Sequence, residues 1–405
     1  MAVGIYAIVA ASVWIACALR FVVSRETRSA EGFYALRDDQ LPSITVILPA
    51  YCEERTIGHA LDALRTVDYP DLEIIAIDDG SPDGTAGAIA RHLAHEPRLR
   101  LLQKQVNEGK AMAMNDALAI ARGEVIVVID ADAQIAPGTL RAIAAHFARM
   151  PRVGAVTGNP RPVNLGTWIA EMQVVEFASN VSMMRRAQVT WGRILTMSGV
   201  VSAFRTSVLA DVGLFDPTMA TEDIELTWRI QNRFYDVRYE PRAVVGMSVP
   251  THVPALIRQR LRWGRGLVQV LLRHGGLLGR WRNRRQWPVT IEAILSLLWW
   301  HALALLVILA IAIQTLEVLT DTALSPFPWG IVAVVIAMAL LQITVGLAID
   351  MRYDRTAVDG LLIMPWYPIA YWFIVGVVAL VVTIPTILRP RGAANVRWKV
   401  DRSRE

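Results

Sequence analysis

Apolar residues in this 405-residue chain are gathered into four long blocks, with short runs at regular intervals between the first two. The long blocks are residues 1–23, charged only at Arg20; 289–313, interrupted by Glu292 and His301; 329–349, uncharged; and 361–388, uncharged but carrying Pro365, Pro368 and Pro385. Each reaches the ~20 apolar residues that carry a helix across a bilayer. The first block has neither the basic start nor the small-residue cleavage site of a secretory signal, which predicts a retained anchor. Arg20, Arg25 and Arg28 at its end, and Arg280, Arg282, Arg284 and Arg285 before the second block, predict that the segment between them is cytoplasmic. One span before that segment and three after it place the C-terminal tail outside, yet the tail RPRGAANVRWKVDRSR is basic, which favours the inside. The count therefore leaves 361–388 open as a full span or a re-entrant piece broken by its prolines. Organised this way, the chain divides into a transmembrane helix (1–23), a cytoplasmic domain (24–250), interfacial amphipathic helices (251–288), a transmembrane region (289–388) and a basic tail (389–405).

Within the cytoplasmic segment the short runs read as strands alternating with helices. Ile44–Leu48 is a largely apolar, β-branched run, as a buried parallel strand should be, and Glu73–Ile77, Leu99–Leu102 and Val125–Ile129 read as the next three strands. Helical patterns follow through Leu61, Leu64 and Val67, from Thr85 or Asp83 as cap to His95, and over Ala111–Ala121. Strand–helix alternation at this spacing predicts an α/β fold with a mostly parallel sheet. Ligands of such sheets bind beyond the carboxyl ends of the strands, where Asp78, Asp79, Asp130 and Asp132 fall.

Composition agrees with this division. The chain is 54% hydrophobic and 19% charged, against about 45–50% and about 25% for soluble proteins. Disorder is excluded. The net charge of +5 is carried almost wholly by arginine, lysine occurring only at Lys104, Lys110 and Lys399. Membrane flanks account for that excess, so no nucleic-acid partner is required. Two cysteines, Cys17 and Cys52, support neither a disulfide framework nor a zinc site. No glycine-rich dinucleotide fingerprint or P-loop is present.

Asp130-x-Asp132 offers carboxylate oxygens suited to Mg²⁺ or Mn²⁺, although turn aspartates are common for structural reasons alone. Thr221-Glu222-Asp223 opens a helix, where Thr221 suits the cap and the acids suit the first turn; a carboxylate there can equally act as a general base. Asn107-Glu108-Gly109-Lys110 places a lysine at a helix start, fit for phosphate or merely solvated. Residues 258–285 hold nine arginines and no acid. On a helix Gln259, Arg262 and Trp263 share one face, and the same segment suits the surface of an anionic bilayer. In the second block, His301 and Glu292 are either functional groups at membrane depth or helix-to-helix hydrogen-bonding residues.

Taken in order, Pro49-x-Tyr51-x-Glu53, Asp79-Gly80-Ser81, Asp130-x-Asp132, Thr221-Glu222-Asp223 and Gln259-Arg260-x-Arg262-Trp263 resemble the processive family 2 glycosyltransferases of the GT-A fold, a group that includes cellulose, chitin and hyaluronan synthases. The stretches Pro151–Arg161, Ser198-Gly199-Val200 with Ala203-Phe204-Arg205, Tyr239–Ala243 and the tail around Arg397-Trp398 are similar to the bacterial poly-β-1,6-N-acetylglucosamine synthases within it. Departures are Cys52, where the family usually has asparagine, and a single N-terminal span, where some relatives have two. The resemblance implies that Pro49, Tyr51, Glu53 and Asp79 hold uridine, that Lys110 contacts the diphosphate, and that Asp130 lies near ribose or diphosphate. It implies further that Asp132 ligates a divalent cation and Asp223 is the base. Gln259, Arg262 and Trp263 would then close over the nucleotide, with Ser198, Gly199, Glu222 and Trp263 on the acceptor side. The implied partners are UDP-GlcNAc, the growing polysaccharide, the bilayer of a bacterial inner membrane, a small two-span subunit and cyclic di-GMP. For cyclic di-GMP, Arg280, Arg282, Arg284 and Arg285 are the candidate contacts.

Overall fold

The computed structural model describes residues 2–27, 30–320 and 329–389. Arg28 and the basic tail from 390 onward, with Arg397 and Trp398, lie outside the described residues. Eight strands form one sheet: β1 (Ile44–Ala50), β2 (Leu72–Asp78), β3 (Leu99–Gln103), β4 (Val125–Ile129), β5 (Gln134–Ile135), β6 (Val153–Pro162), β7 (Val201–Arg205) and β8 (Asp236–Met247). Their order is β3-β2-β1-β4-β7-β6-β8-β5. The four strands legible in the sequence are mutually parallel. Beyond β4 the sheet is mixed: β7 runs antiparallel to both β4 and β6, β8 is parallel to β6, and β5 is antiparallel to β8.

Alternation along each strand explains why both faces are covered. Val46, Leu48, Ile74, Ala76, Val125 and Val127 point to one core, shared with Ile57, Leu61, Leu64 and Ile89 of the flanking helices. Their immediate neighbours Ile47, Ile75, Ile77, Ile126 and Val128 point to a second core, shared with Ala113, Met114, Leu226 and Ile230. A period of two in strands that are apolar throughout demands helices on both sides. The N-cap of the Thr85–Leu93 helix is Gly84, which makes no side-chain cap bond, so neither Thr85 nor Asp83 caps it; Asp83 Oδ1 instead accepts from the Thr85 amide at 3.1 Å in the turn ahead of the helix.

Four helices among the described residues are long and apolar enough to cross a membrane: Val3–Thr27, Trp281–Leu319, Gly330–Asp350 and Tyr367–Leu388. Pro365 lies ahead of the last of these, Pro368 falls in its first turn and Pro385 near its end. The proline break therefore precedes the helix, whose 22 residues span roughly 33 Å at helical rise. Between Asp350 and Tyr367 lie only short helical turns. In the second span, Ser296 donates to Glu292 at 2.9 Å and is paired with Tyr6 of the first span at 3.1 Å. His301 Nδ1 is bonded to the Leu297 carbonyl at 2.8 Å, within its own helix.

The spans are fastened to the sheet domain by a buried ionic cluster. Asp350, at the end of the third span, meets Arg161 of β6 at 2.5 Å and Arg186 of the Met183–Trp191 helix at 2.9 Å. Arg186 in turn meets Glu26, at the end of the first span, at 2.6 Å. Ser182 donates to Asp350 at 2.9 Å and Tyr353 to Glu26 at 2.8 Å. Burial opposes the charge on Arg186, but the anionic partners outweigh it and hold its pKa above the ordinary arginine value. Removing one member of a buried pair strands the others. Asp350→Ala should therefore cost about 3–5 kcal/mol, read as a lowered thermal midpoint of the detergent-solubilised full-length protein; an unchanged midpoint would show that the cluster does not hold the spans.

Candidate active site

The carboxyl edges of β1, β2 and β4 each end in a tight turn, and these turns lie side by side. The Asp79 amide donates to the Ala50 carbonyl at 2.9 Å, joining the first two. After β1, Cys52 adopts φ +58°, the left-handed region that asparagine enters more readily than other side chains. The departure from the family's asparagine thus falls on a position whose backbone accounts for that preference. The Cys52 amide donates to Ser81 Oγ at 3.0 Å, and the Glu53 amide to Thr85 Oγ1 at 2.8 Å. Glu53 is buried, its carboxylate accepting from Thr56. Pro49 lies within buried β1, and Tyr51 is half-buried in the turn. Gly80 has φ +69°, and a Cβ there would come within 2.7 Å of the Val106 backbone; the turn after β2 admits no side chain.

Asp79 is fully buried, and its oxygens accept from the amides of Glu108 at 3.2 Å and Gly109 at 2.8 Å. Lys104 approaches the same carboxylate at 3.4 Å. Asp79 therefore pins the loop that starts the Lys110–Leu118 helix and so sets the position of Lys110.

Lys110 is the hub of the site. Its ammonium donates to Asp130 and, at 3.1 Å, to the Gly199 carbonyl, with Glu222 4.0 Å away. Burial works against its charge, and the surrounding carboxylates, Asp130 foremost, override it and hold the lysine above its ordinary pKa. The Asp130 amide donates to the Val200 carbonyl at 3.1 Å, drawing the 198–200 loop against β4. Ser198 is spent on that loop: its amide donates to Thr157 Oγ1 at 2.9 Å, and its hydroxyl accepts from the Val200 amide at 3.3 Å.

Asp223 stands across Gly199. A Cβ on Gly199 would lie 3.1 Å from Asp223 Oδ2 and 3.6 Å from Lys110 Nζ. Asp223 Oδ1 accepts from the Ile224 amide at 2.8 Å. Burial and the neighbouring Glu222 charge push the Asp223 pKa up to about 6, against the opposing pull of Lys110 and Arg262. A carboxylate poised there is mostly ionised at neutral pH yet basic enough to accept a proton. Thr221 does not cap the helix, since its side chain makes no cap hydrogen bond. Instead it packs on Gly266, where a Cβ would come within 2.1 Å of Thr221 Oγ1. Gln269 accepts from the Ala220 amide at 3.2 Å. The Val253–His274 helix therefore braces the turn that carries Asp223.

On that helix Gln259 and Trp263 are half-buried and Arg262 is exposed. Arg260, which the sequence reading passed over, is the buried member. It is ion-paired with Glu176, lies 4.2 Å from the Trp263 ring centroid and donates to Gln259 at 2.5 Å. Tyr371 of the last span donates to the same Glu176. The available signal was Glu176 itself, an acid inside the apolar run Val174–Ala178. Arg185 is a second residue missed. Buried and donating to the Gly158 carbonyl at 3.3 Å, it is depressed by desolvation to about 10, while the charge of Asp223 acts in the opposite direction.

Asp132 is half-buried in the turn after β4. Among the described residues no group of three or more His, Cys, Asp or Glu side chains could hold a metal by itself. One or two carboxylates are nevertheless the usual protein share for Mg²⁺ when phosphate oxygens complete the shell. The Asp130–Asp132 pair fits a cation of that kind.

Carboxylates and a buried lysine at the carboxyl edge of the sheet, with a further carboxylate at a helix start across from them, fit the layout of a GT-A transferase, and residues 42–266 match the glycosyltransferase-like family 2. The chain belongs to that family and is a glycosyltransferase. It is 32% identical over 363 residues to a poly-β-1,6-N-acetyl-D-glucosamine synthase of Staphylococcus epidermidis, covering 89% of this chain and 87% of that protein. It is 33% identical over 387 residues to one of Staphylococcus aureus, covering 95% and 93%. Among solved structures it resembles a mannosyltransferase of Pyrobaculum calidifontis in complex with GDP-Man and Mn²⁺, with a TM-score of 0.61, 23% identity and coverage of 95% and 98%; that likeness concerns the fold. Because Gly199 leaves no room beside Asp223, Gly199→Ala should lower sugar transfer by at least about tenfold, the loss expected when a reacting group is displaced by a fraction of an ångström. The thermal midpoint should stay close to that of the parent; turnover equal to the parent's would show that this contact has no bearing on transfer.

Proposed function

We propose that the chain polymerises N-acetylglucosamine from UDP-GlcNAc into β-1,6-linked poly-N-acetylglucosamine, a biofilm exopolysaccharide, by processive inverting transfer, and moves the product across a bacterial inner membrane. The observation that carries the reading is the carboxylate of Asp223, raised to about 6 and set across Gly199 from Lys110. An inverting transfer needs one base, whereas glycosidases use two carboxylates. The staphylococcal relatives, similar over nearly the whole chain, support the sugar and the linkage.

In this reading the domain over 24–250 is cytoplasmic. Pro49, Tyr51, Glu53 and Asp79 border the uridine side, with Asp79 acting through the loop it pins. Asp223 removes the proton from the acceptor hydroxyl. The hydroxyl oxygen bonds to the anomeric carbon from the face opposite UDP, the bond from that carbon to the diphosphate breaks, and the α-linked donor gives a β-linked product. The proton rests on Asp223, and the electron pair leaves with UDP. Lys110 and Arg262 face the charge that grows on the diphosphate. A divalent cation, Mg²⁺ or Mn²⁺, held by Asp132 with Asp130 beside it, would supply further charge neutralisation there. Gln259 and Trp263 close over the nucleotide and the acceptor end, where an indole offers a stacking face for a sugar ring. Ser198 and Gly199 shape the acceptor side, and Glu222, beside Asp223, raises its basicity.

Asp223→Asn should abolish polymer formation while leaving UDP binding, measured by calorimetry, within about twofold of the parent, since the residue meets the acceptor rather than the nucleotide; continued synthesis would refute the base assignment. The base works only when ionised and its pKa is raised, so kcat/KM should be full above pH 7 and fall about tenfold per unit as pH drops through about 6. An acid limb near pH 4 would contradict the assignment. Polymer made by the purified protein from radiolabelled UDP-GlcNAc should be digested by a β-1,6-N-acetylglucosaminidase, and a resistant polymer would overturn the linkage.

A further inference from the structure

Away from the residues assigned to transfer, a cavity of about 530 Å³ opens between the end of the first span and the sheet domain. Its walls include Arg20 and Arg25 of the first span, Arg238 and Arg242 of β8, and the aromatic rings of Phe21 and Tyr353. That volume is in the range of small-ligand sites. The cavity sits where the first span ends and, through Tyr353, just past the end of the third at Asp350. It therefore lies at the depth of lipid headgroups.

The charge inside it is unbalanced. Among the described residues, the carboxylates that line it are Glu26 and Glu240, and both are committed elsewhere. Glu26 is held by Arg186 and Tyr353. Glu240 accepts from Tyr34 at 2.6 Å and from the Arg242 amide at 2.9 Å, and it meets His146 at 2.7 Å. Among the described residues, Arg238 has a long contact of 3.4 Å to Asp236, which Arg193 also approaches at 3.6 Å and whose charge Arg25 feels as well. The Arg238 Nε is buried without a hydrogen-bond partner. Arg242 lies 4.3 Å from the centroid of the Tyr34 ring, and Arg20 and Arg25 are exposed at the opening.

Guanidinium forks converging on one space, without enough carboxylate to satisfy them, suit the paired oxygens of a phosphate. Basic pockets beside the ends of membrane helices are suited to anionic headgroups. We propose that this cavity binds a phosphate group, and that of an anionic phospholipid headgroup in particular, its glycerol against the aromatic rings and its acyl chains along the first span. The proposal rests on the membrane reading of the four helices and is independent of the transfer reaction.

The test uses the full-length protein in nanodiscs of phosphatidylcholine with and without phosphatidylglycerol, and in detergent with glycerol phosphate as the soluble probe. Native mass spectrometry should show phosphatidylglycerol retained in preference to phosphatidylcholine. Arg20→Gln and Arg242→Gln should each reduce that retention roughly tenfold, the value of one charge-assisted hydrogen bond, while their melting in pure phosphatidylcholine matches the parent. Stabilisation by glycerol phosphate that is lost in both variants would support the phosphate site and make its source soluble. Equal retention of the two lipids by the parent protein, together with no effect of glycerol phosphate, would overturn the proposal without recourse to any variant.

Discussion

The arrangement depends first on the buried ionic chain Arg161–Asp350–Arg186–Glu26. Four charged side chains taken out of water are costly unless each finds a partner, and here every link is made between different parts of the molecule: a sheet strand, the end of the third span, a helix of the sheet domain and the end of the first span. The interaction is satisfied only when both spans and the domain take one mutual position. Apolar packing alone would let a helix slide or rotate at small cost, because it is non-directional. The ion chain removes that freedom and fixes the height of the sheet's carboxyl edge relative to the spans.

A second link runs from that frame into the site. Glu176 receives Arg260 from the arginine-rich helix and Tyr371 from the last span. The same helix lies against that span at Gly264, where a Cβ would come within 3.1 Å of Val382. Two residues further it presses Gly266 onto Thr221. The helix that carries Gln259, Arg262 and Trp263 thus touches a membrane-spanning helix and the start of the Asp223 helix at once. Nothing here needs a long pathway, because the helix makes both contacts within a few residues.

Much of this was legible in the sequence, and the boundary between what was and what was not is physical. Strands β1, β2 and β4 announce themselves because a strand buried on both faces is almost wholly apolar, and the acidic turns after β2 and β4 fall where the sheet's polarity puts its ligands. Beyond β4 the pattern fades: β6 carries Thr157, Asn159 and Arg161 as buried residues, and local periodicity cannot separate a buried polar strand from a loop. Lys110 and Asp223 stand out through their motifs, but the bond from Lys110 to the Gly199 carbonyl beside Asp223 joins residues 89 positions apart and has no local signature. Arg161, Arg186 and Asp350 look like ordinary surface or flank charges in one dimension. Only their partners, more than 160 residues away for Asp350, show them to be interior.

The electrostatics of the site then follow from where arginine and lysine are placed. The chain contains a few lysines among many arginines, and it puts a lysine at the one point where a compact ammonium must reach a carboxylate and a backbone carbonyl together. Guanidinium groups, planar and forked, take the tasks that need two parallel hydrogen bonds or a ring to stack upon, as Arg186 and Arg260 do. With Lys110 bound to Asp130, the positive charge nearest Asp223 is partly neutralised by another acid, and Glu222 adds a negative charge alongside. Had Lys110 paired with Asp223 instead, the carboxylate would be held below its usual range and be too weak a base to take a proton from a hydroxyl. The position of one lysine, fixed from behind by Asp79 and its two amide bonds, therefore decides whether Asp223 is a bystander in an ion pair or a group able to act.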